Sequence, residues 1–222
     1  MSATSRWTTV LWDMDGTIID ASVGIMRRIE ATLARFGIAP PTPEQLPHWI
    51  GPPLLSGFRD NAGMTQSEAA EAVAFYRTLA QGHAESGEAV LYAGVEELIR
   101  DVHATGIPQA IASSKLESQV VDLLTTFRLT PYFSAAAGAS ADEISRTAKA
   151  DIVEVALQRL RERGVDTSRP VLVGDRRHDV EGGRLAGVPV IFVRWGFGDP
   201  GEEAGSIAAV QTVDALRALL LP

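Results

Sequence analysis

The residues best suited to chemistry are two aspartates at the end of an apolar segment. Residues 8–12 read Thr-Thr-Val-Leu-Trp, which predicts a short buried strand, and Asp13 and Asp15 follow it. Because side chains alternate along an extended chain, both carboxyl groups can point to the same side. Such a pair is costly unless a cation neutralises it or the two groups differ in protonation. Gly16 lets the backbone turn and approach a ligand, and Thr17 adds a hydroxyl donor.

Three later segments carry complementary groups. Ser113 and Ser114 follow the apolar residues 109–112, Lys149 stands at the start of a predicted helix, and residues 174–179 read Gly-Asp-Arg-Arg-His-Asp. Open parallel sheets collect their sites at the carboxyl ends of strands, so we expect these groups to meet the first two aspartates. Their positions in the chain therefore predict one shared site.

The chemistry of this set is that of a phosphate site with a divalent metal. Hard cations such as Mg²⁺ select carboxylate oxygens, which Asp13 and Asp175 supply. A serine hydroxyl, backbone N–H groups at a helix start and a lysine ammonium suit phosphoryl oxygens. The metal also explains how several aspartates can be packed together.

Each member of the set also has an ordinary structural explanation. The two serines could cap a helix, Lys149 could be a solvated helix residue, and Asp179 could be a cap or a surface charge. We expect Lys115 to be a solvated neighbour and His178 to be a loop residue with no required role. The combination, rather than any one residue, indicates a function.

The elements that must position these groups alternate between strands and helices. This order implies a parallel α/β sheet with right-handed crossovers. Strands are predicted at 10–12, 109–112, 132–136, 170–173 and 188–193, and helices at 22–36, 65–80, 94–105, 117–127, 148–163, 180–186 and 213–221. The stretch from about 20 to 86 is predicted to be helical with loops and no strand. Residues 196–205 are predicted to form a flexible acidic loop.

Composition limits the classes of function. The chain has 222 residues, of which 45% are hydrophobic and 22% charged, as expected of a globular protein with a substantial core. It has no cysteine, which excludes disulfides and thiolate metal sites. A net charge of −8 argues against a broad nucleic-acid surface. Without a secretory signal or an apolar run long enough to cross a membrane, we expect a cytoplasmic protein that binds no membrane; the oligomeric state stays open.

The four motifs together resemble the haloacid dehalogenase superfamily of phosphotransferases, whose first motif is Asp-x-Asp-Gly-Thr. The resemblance implies that Asp13 is the nucleophile and a metal ligand. It implies that Asp15 is the general acid and base, with its main-chain carbonyl on the metal. Ser113 would bind phosphate, and Lys149 would offset charge on the nucleophile and the phosphate. The lysine stands in Lys-Ala-Asp-Ile rather than the frequent Lys-Pro pattern.

The resemblance extends to the remaining groups and to the domain plan. It implies that Asp175 binds Mg²⁺, with Asp179 as a further ligand or a neighbour of the ligands. The fold implied is α/β, with a Rossmann-like parallel sheet core (1–19 and 87–222) and an inserted all-helical cap domain (20–86). Asp20 and the residues near 86 would be hinges. The phosphate-binding group is then expected to comprise Gly16, Thr17, Ser113, Ser114 and Lys149.

Two segments resemble phosphoglycolate-phosphatase-like members of the superfamily in particular. One is Ile50-Gly51-Pro52-Pro53-Leu54, of which the last four residues are predicted to select the substrate, and the other is residues 194–198. The function implied is a Mg²⁺-dependent phosphatase for a small phosphorylated metabolite: phosphoglycolate, a nucleotide or a sugar phosphate. The alternatives are a sugar phosphomutase with the same phosphoenzyme and a catalytically idle protein that binds a phosphorylated ligand.

Overall fold

The fold is taken from a computed structural model that describes residues 6–80, 88–141 and 145–221. In chain order the strands are β1 Thr9–Trp12, β2 Ile19–Asp20, β3 Val90–Leu91, β4 Gln109–Leu116, β5 Ala135–Ala139, β6 Pro170–Gly174, β7 Val190–Val193 and β8 Ala208–Val210. The α-helices are α1 Ser22–Arg35, α2 Leu54–Ala62, α3 Gln66–Ala80, α4 Val95–Ala104, α5 Glu117–Thr126, α6 Lys149–Glu162, α7 Arg177–Leu185 and α8 Val213–Leu220. Short 3₁₀ helices occupy Pro43–Trp49 and Thr130–Tyr132.

Six strands form one parallel sheet in the order β5-β4-β1-β6-β7-β8. The central strand β1 is buried on both faces, and its side chains alternate between them. Val10 and Trp12 pack into the core that contains α4, α5 and α8, whereas Leu11 packs into the core beneath α6 and α7. The predicted α/β fold with a parallel sheet core is confirmed.

Within residues 20–80, the described part of the predicted helical stretch, Asp20 at the edge is the only strand residue. Helices α1, α2 and α3 and the 3₁₀ helix Pro43–Trp49 lie between β2 and β3, and we name residues 22–80 the helical insertion. The prediction of no strand from residue 20 was wrong at Asp20, which pairs with Val90 in an antiparallel two-stranded ribbon. Two residues are too few to show alternation in a sequence. The predicted boundary and hinge at 86–87 lie outside the described residues.

Other differences are in the bounds of elements. β5 begins at residue 135 rather than 132, because a 3₁₀ turn occupies Thr130–Tyr132. β4 continues to Leu116 with an irregular register after Ala112. The sequence did not predict β8, which follows the 196–205 loop and pairs with β7. Within the ranges that the structure describes, none of the helices combines the length and the apolar character needed to cross a membrane.

Candidate active site

Adjacent strands β1 and β6 place two of the predicted aspartates side by side. Trp12 is paired with Val173, and the Asp13 N–H donates to the Val173 carbonyl at 2.9 Å. Asp175 follows the last residue of β6. Among the described residues, the buried carboxylates of Asp13, Asp175 and Asp179 form a group whose oxygens all lie within 4.8 Å of one another. The expected convergence of the first and last motifs is therefore present.

Asp179 fixes the loop between β6 and α7. Its Oδ2 accepts hydrogen bonds from the backbone N–H of Asp175 at 3.1 Å and of Arg176 at 2.9 Å. These are orphan donors at a helix start, which explains why α7 begins at Arg177 rather than near 180 as predicted. His178, predicted to be a loop residue, is consequently the second residue of this helix.

Lys149 is the first residue of α6 and lies beneath the aspartates. Its Nζ is 2.8 Å from Asp13 Oδ1 and 2.6 Å from Asp179 Oδ1, and its side chain is only 4% exposed. The alternative of a solvated helix residue is therefore wrong. A Cβ on Gly182 of α7 would lie 2.6 Å from the Lys149 Cβ, so the close packing of the two helices depends on that glycine.

Burial shifts the pKa values of the ionisable groups in this cluster. Burial raises the pKa of Asp13 despite the opposing charge of Lys149. Burial, followed by the charges of Asp179 and Asp13, raises the pKa of Asp175 well above its usual range. Burial lowers the pKa of Lys149, but the two carboxylates beside it outweigh this effect and the net shift is upward. Three carboxylates facing one ammonium match the oxygen ligands and the charge that Mg²⁺ requires.

The Asp175 carboxylate is held from both sides by short segments. Thr17 Oγ1 donates to Oδ1 at 3.1 Å, and the Phe197 N–H donates to Oδ2 at 2.8 Å. A Cβ on Gly16 would lie 2.1 Å from Oδ2, and one on Gly196 would lie 2.2 Å from it. Both glycines therefore permit the close approach of backbone to this carboxylate. The Thr17 hydroxyl is engaged with Asp175, so its role in phosphate binding stays a prediction.

Residues 194–198 are thus part of the site, with a contact that sequence reasoning did not anticipate. Besides the Phe197 bond, Trp195 Nε1 donates to the Thr17 carbonyl at 3.2 Å. The signal for this contact in the sequence is the glycine and aromatic pattern of residues 194–198, after β7. The segment thus packs against both Asp175 and the Gly16-Thr17 turn.

A cavity of about 130 Å³ opens above Asp13 and Asp15. Ser113 and Ser114 of β4 line it, as predicted for groups that end neighbouring strands. The prediction that Lys115 is solvated was wrong: its side chain is 5% exposed and its Nζ is 3.2 Å from Asp15 Oδ2. An ion pair between residues 100 positions apart in the chain leaves no periodic signal in the sequence. We name the charged part the cavity floor, comprising the lining residues Asp13, Asp15, Ser113, Ser114 and Lys115, together with Lys149, Asp175 and Asp179, which cluster with Asp13.

The opposite side of the cavity belongs to the helical insertion. The structure brings all four predicted selectivity residues to this side. We name this side the cavity wall, comprising Trp49, Ile50, Gly51, Pro52, Pro53, Leu54, Leu55, Ser56, Tyr76 and Arg77. Aromatic contacts stiffen it from behind, since Phe58 packs edge-on against both Trp49 and Tyr76, at ring-centroid distances of 5.5 and 6.5 Å. The wall is mainly apolar and the floor mainly charged.

A parallel sheet with buried aspartates at its carboxyl edge, a lysine beside them and a helical insertion after the first strand is typical of a class of α/β hydrolases. The model of the haloacid dehalogenase-like hydrolase family matches residues 10–193. The chain belongs to this family.

Individual relatives differ in the activity that their names state. The chain is 35% identical over 191 residues to the tyrosine-protein kinase PtkA of Mycobacterium tuberculosis, covering 85% of this chain and 62% of the relative. It is 33% identical over 202 residues to a 5'-nucleotidase of Pseudomonas aeruginosa, covering 90% and 88%. The chain therefore spans less than two thirds of the PtkA relatives. Phosphoglycolate phosphatases also match, as the predicted subgroup required.

A solved structure supports the fold over nearly the whole chain. A predicted phosphatase from Clostridium acetobutylicum superposes with a TM-score of 0.87 at 29% identity, covering 96% of this chain and 97% of that one.

Proposed function

We propose that the chain is a Mg²⁺-dependent phosphatase that hydrolyses a small phosphomonoester through an aspartyl-phosphate on Asp13. The observation that carries the proposal is the position of Asp13: it is buried among Lys149, Asp175 and Asp179, and it also lines the cavity beside Asp15. A nucleophilic carboxylate must reach substrate and still have its charge stabilised, and Asp13 meets both conditions.

The first half of the reaction uses two aspartates in different roles. A carboxylate oxygen of Asp13 attacks phosphorus, an O–P bond forms, and the bond from phosphorus to the leaving oxygen breaks. Asp15 donates a proton to that oxygen, so the product leaves as an alcohol. Ser113 and Lys149 are the proposed partners of the phosphoryl oxygens, because they supply a hydroxyl and a positive charge at the floor.

The second half returns the enzyme to its starting state. Water attacks the phosphorus of the aspartyl-phosphate, and Asp15 accepts a proton from that water. The bond between phosphorus and Asp13 breaks, which releases inorganic phosphate and restores the carboxylate. Asp13, Asp175 and the main-chain carbonyl of Asp15 would hold Mg²⁺, with Asp179 beside them. When bound, the ion supplies positive charge that offsets the aspartates and the phosphoryl group.

The helical insertion is proposed to act as the cap, with Gly51, Pro52, Pro53 and Leu54 selecting the substrate. A cavity of about 130 Å³ is smaller than the roughly 300–1,000 Å³ of sites for drug-sized ligands. This size favours a short phosphorylated acid or sugar over a nucleotide in the present arrangement. The cytoplasm stays the expected location, and a small phosphorylated metabolite the expected partner.

The experiment that tests the function is a screen of phosphomonoesters with and without Mg²⁺, in which free phosphate and transferred phosphate are both measured. We expect Mg²⁺-dependent release of phosphate for a small ester, and none for the Asp13→Asn control. Transfer to a second sugar in place of release would establish the phosphomutase alternative. Binding of esters without release or transfer would establish the idle binding protein.

A further inference from the structure

One arginine connects the cavity floor with the cavity wall. Arg176 follows Asp175 in the chain, and it is 4% exposed. Its Nη1 donates to the Ile50 carbonyl, while its Nε and Nη2 donate to the two carboxylate oxygens of Glu202 at 3.0 and 3.1 Å. The guanidinium is a rigid fork, so the paired bonds to Glu202 fix the direction in which Nη1 points.

Glu202 is itself fixed by the same turn. Its Oε2 also accepts a hydrogen bond from the Arg177 N–H at 2.8 Å. This carboxylate therefore holds both the side chain of Arg176 and the first residue of α7. The carbonyl of Ile50 joins the helical insertion to this network.

The backbone of the wall also rests directly on Arg176. Gly51 has φ +104°, and a Cβ there would lie 2.8 Å from the Arg176 Cγ. A second contact joins the neighbouring His48 to the loop after β7, with His48 Nδ1 at 3.5 Å from Asp199 Oδ2, although both of these side chains are about half exposed. Residues 48–51 are thus attached at one buried point, Arg176 just before α7, and at one exposed point, Asp199 in the loop after β7.

We propose that Arg176, oriented by Glu202, is a positioning residue that holds residues 50–54 over the cavity and so links the aspartate loop to substrate selection. Asp175, the preceding residue, lies in the floor, whereas the side chain of Arg176 ends at the wall. A displacement of Ile50 changes the shape of the cavity for every substrate group beyond the phosphate. The kinetic part of this proposal rests on the proposed phosphatase function, and the structural part does not.

The test compares Arg176→Met, Arg176→Lys and Glu202→Gln with a matched control. The control, Glu203→Gln, removes a carboxylate from the same loop as Glu202. This carboxylate pairs with Arg194 at 2.7 Å, whereas that of Glu202 pairs with Arg176. Hydrogen exchange is measured for the peptide that contains residues 50–54. Steady-state kinetics at saturating Mg²⁺ compare p-nitrophenyl phosphate with the best substrate from the screen. Glu202→Gln covers the case in which Arg176→Met fails to fold.

We expect the three test variants, but not Glu203→Gln, to exchange about tenfold faster at residues 50–54, as the loss of a charge-assisted hydrogen bond implies. KM for the best substrate from the screen should rise by about the same factor, while kcat for p-nitrophenyl phosphate changes little. Arg176→Lys should not rescue the wall, because an ammonium cannot bridge Ile50 and both oxygens of Glu202.

Unchanged exchange at residues 50–54 in Arg176→Met and Glu202→Gln would overturn the proposal. An equal fall in kcat for both substrates, with a raised Mg²⁺ requirement, would also overturn it, because Arg176 would then serve the aspartate loop alone. If the wild-type chain released no phosphate from any ester, the proposed function would fail, yet the exchange experiment would still decide the role of Arg176.

Discussion

The cavity floor and the cavity wall differ in both chemistry and support. The floor joins carboxylates to lysines at distances of 2.6 to 3.2 Å, and its residues end strands or begin helices of the parallel sheet core. The wall is half-buried and mostly apolar, and it comes from the helical insertion. Rigid sheet ends suit the placement of reacting groups, whereas an inserted segment can vary without disturbing them. Substitutions in the floor should therefore affect all substrates, and substitutions in the wall should reorder them.

The largest expected effect is that of Asp13→Asn. An amide is a poor nucleophile and removes one carboxylate from the cluster, so turnover should fall on the order of 10⁴-fold or more for every substrate. Phosphate release and circular dichroism measure activity and folding together. Activity within tenfold of wild type in a folded variant would show that the floor does not act through this carboxylate.

Asp15→Asn should separate substrates by their leaving groups. Loss of a general acid costs about 10²–10⁴-fold for an alkyl phosphate, whereas an aryl phosphate needs little protonation in the first half-reaction. The two esters are compared in single-turnover experiments at saturating Mg²⁺. Equal rates for wild type and variant with both esters would remove Asp15 from the acid and base role.

Asp175→Asn should weaken Mg²⁺ binding more than it affects folding, because Asp175 supplies a charged oxygen to the cluster. We expect the Mg²⁺ concentration for half-maximal activity to rise by roughly 10- to 100-fold, on the scale of substitutions around metal sites. Mg²⁺ titrations of activity and thermal melts measure the two effects. Full turnover of the wild type in excess chelator, with metal content checked, would contradict the metal assignment.

A substitution in the wall should change the ranking of substrates rather than lower the activity for all of them. Leu54→Ala removes apolar contact from the cavity lining and should change the ranking of substrates by about 3- to 10-fold, with little effect on p-nitrophenyl phosphate. Values of kcat/KM across the screened esters measure the change. A uniform loss across every ester, in a variant that folds normally, would erase the distinction between wall and floor.

The smallest expected effect is on stability, and it belongs to the floor. In metal-free protein, the raised pKa values of Asp13 and Asp175 mean that the folded state keeps protons that the unfolded chain has lost. The free energy of unfolding therefore falls as pH rises through the folded-state pKa values. We expect the Tm of the metal-free protein to fall as pH rises from about 4, the ordinary carboxyl pKa, to neutral pH, and Mg²⁺ to oppose the fall.

Asp175→Asn is the matched control for this pH effect. Without the carboxylate at 175, the metal-free variant should lose less stability over the same interval, and Mg²⁺ should restore less. Melting curves at several pH values, in chelator and in excess Mg²⁺, provide the comparison. If Tm fell equally steeply with pH in the variant and the wild type, groups other than Asp175 would be responsible for the pH effect.

The floor could be predicted in large part because its residues end regular elements. Asp13 and Asp175 each follow an apolar strand, and Ser113 follows the apolar residues of β4, so the geometry of parallel sheets places them at one edge. The pairing of Lys115 with Asp15 could not be predicted, because β4 extends past its apolar residues with an irregular register. Periodicity carries no information about contacts between such distant residues.

The family resemblance identified residues 51–54 of the wall, but how these residues are oriented against the sheet could not be predicted from the sequence. Gly51 was identified, but its contact with Arg176 depends on how the helical insertion meets the sheet. The ribbon of β2 and β3, with two residues in each strand, was missed for lack of a pattern. Apolar side chains in short loops fit many arrangements, whereas buried charges fit few, which is why the floor was more predictable than the wall.

The central claim, that the floor works through a covalent intermediate on Asp13, has one direct test. Asp15→Asn is mixed with a labelled aryl phosphate and Mg²⁺ in a rapid-quench instrument, and the acid-quenched protein is digested. We predict that label accumulates, because the second half-reaction lacks its base, and that it resides in the peptide that contains Asp13. If wild type and variant release phosphate while no aspartate carries label, the claim is contradicted and direct attack by water becomes the better account.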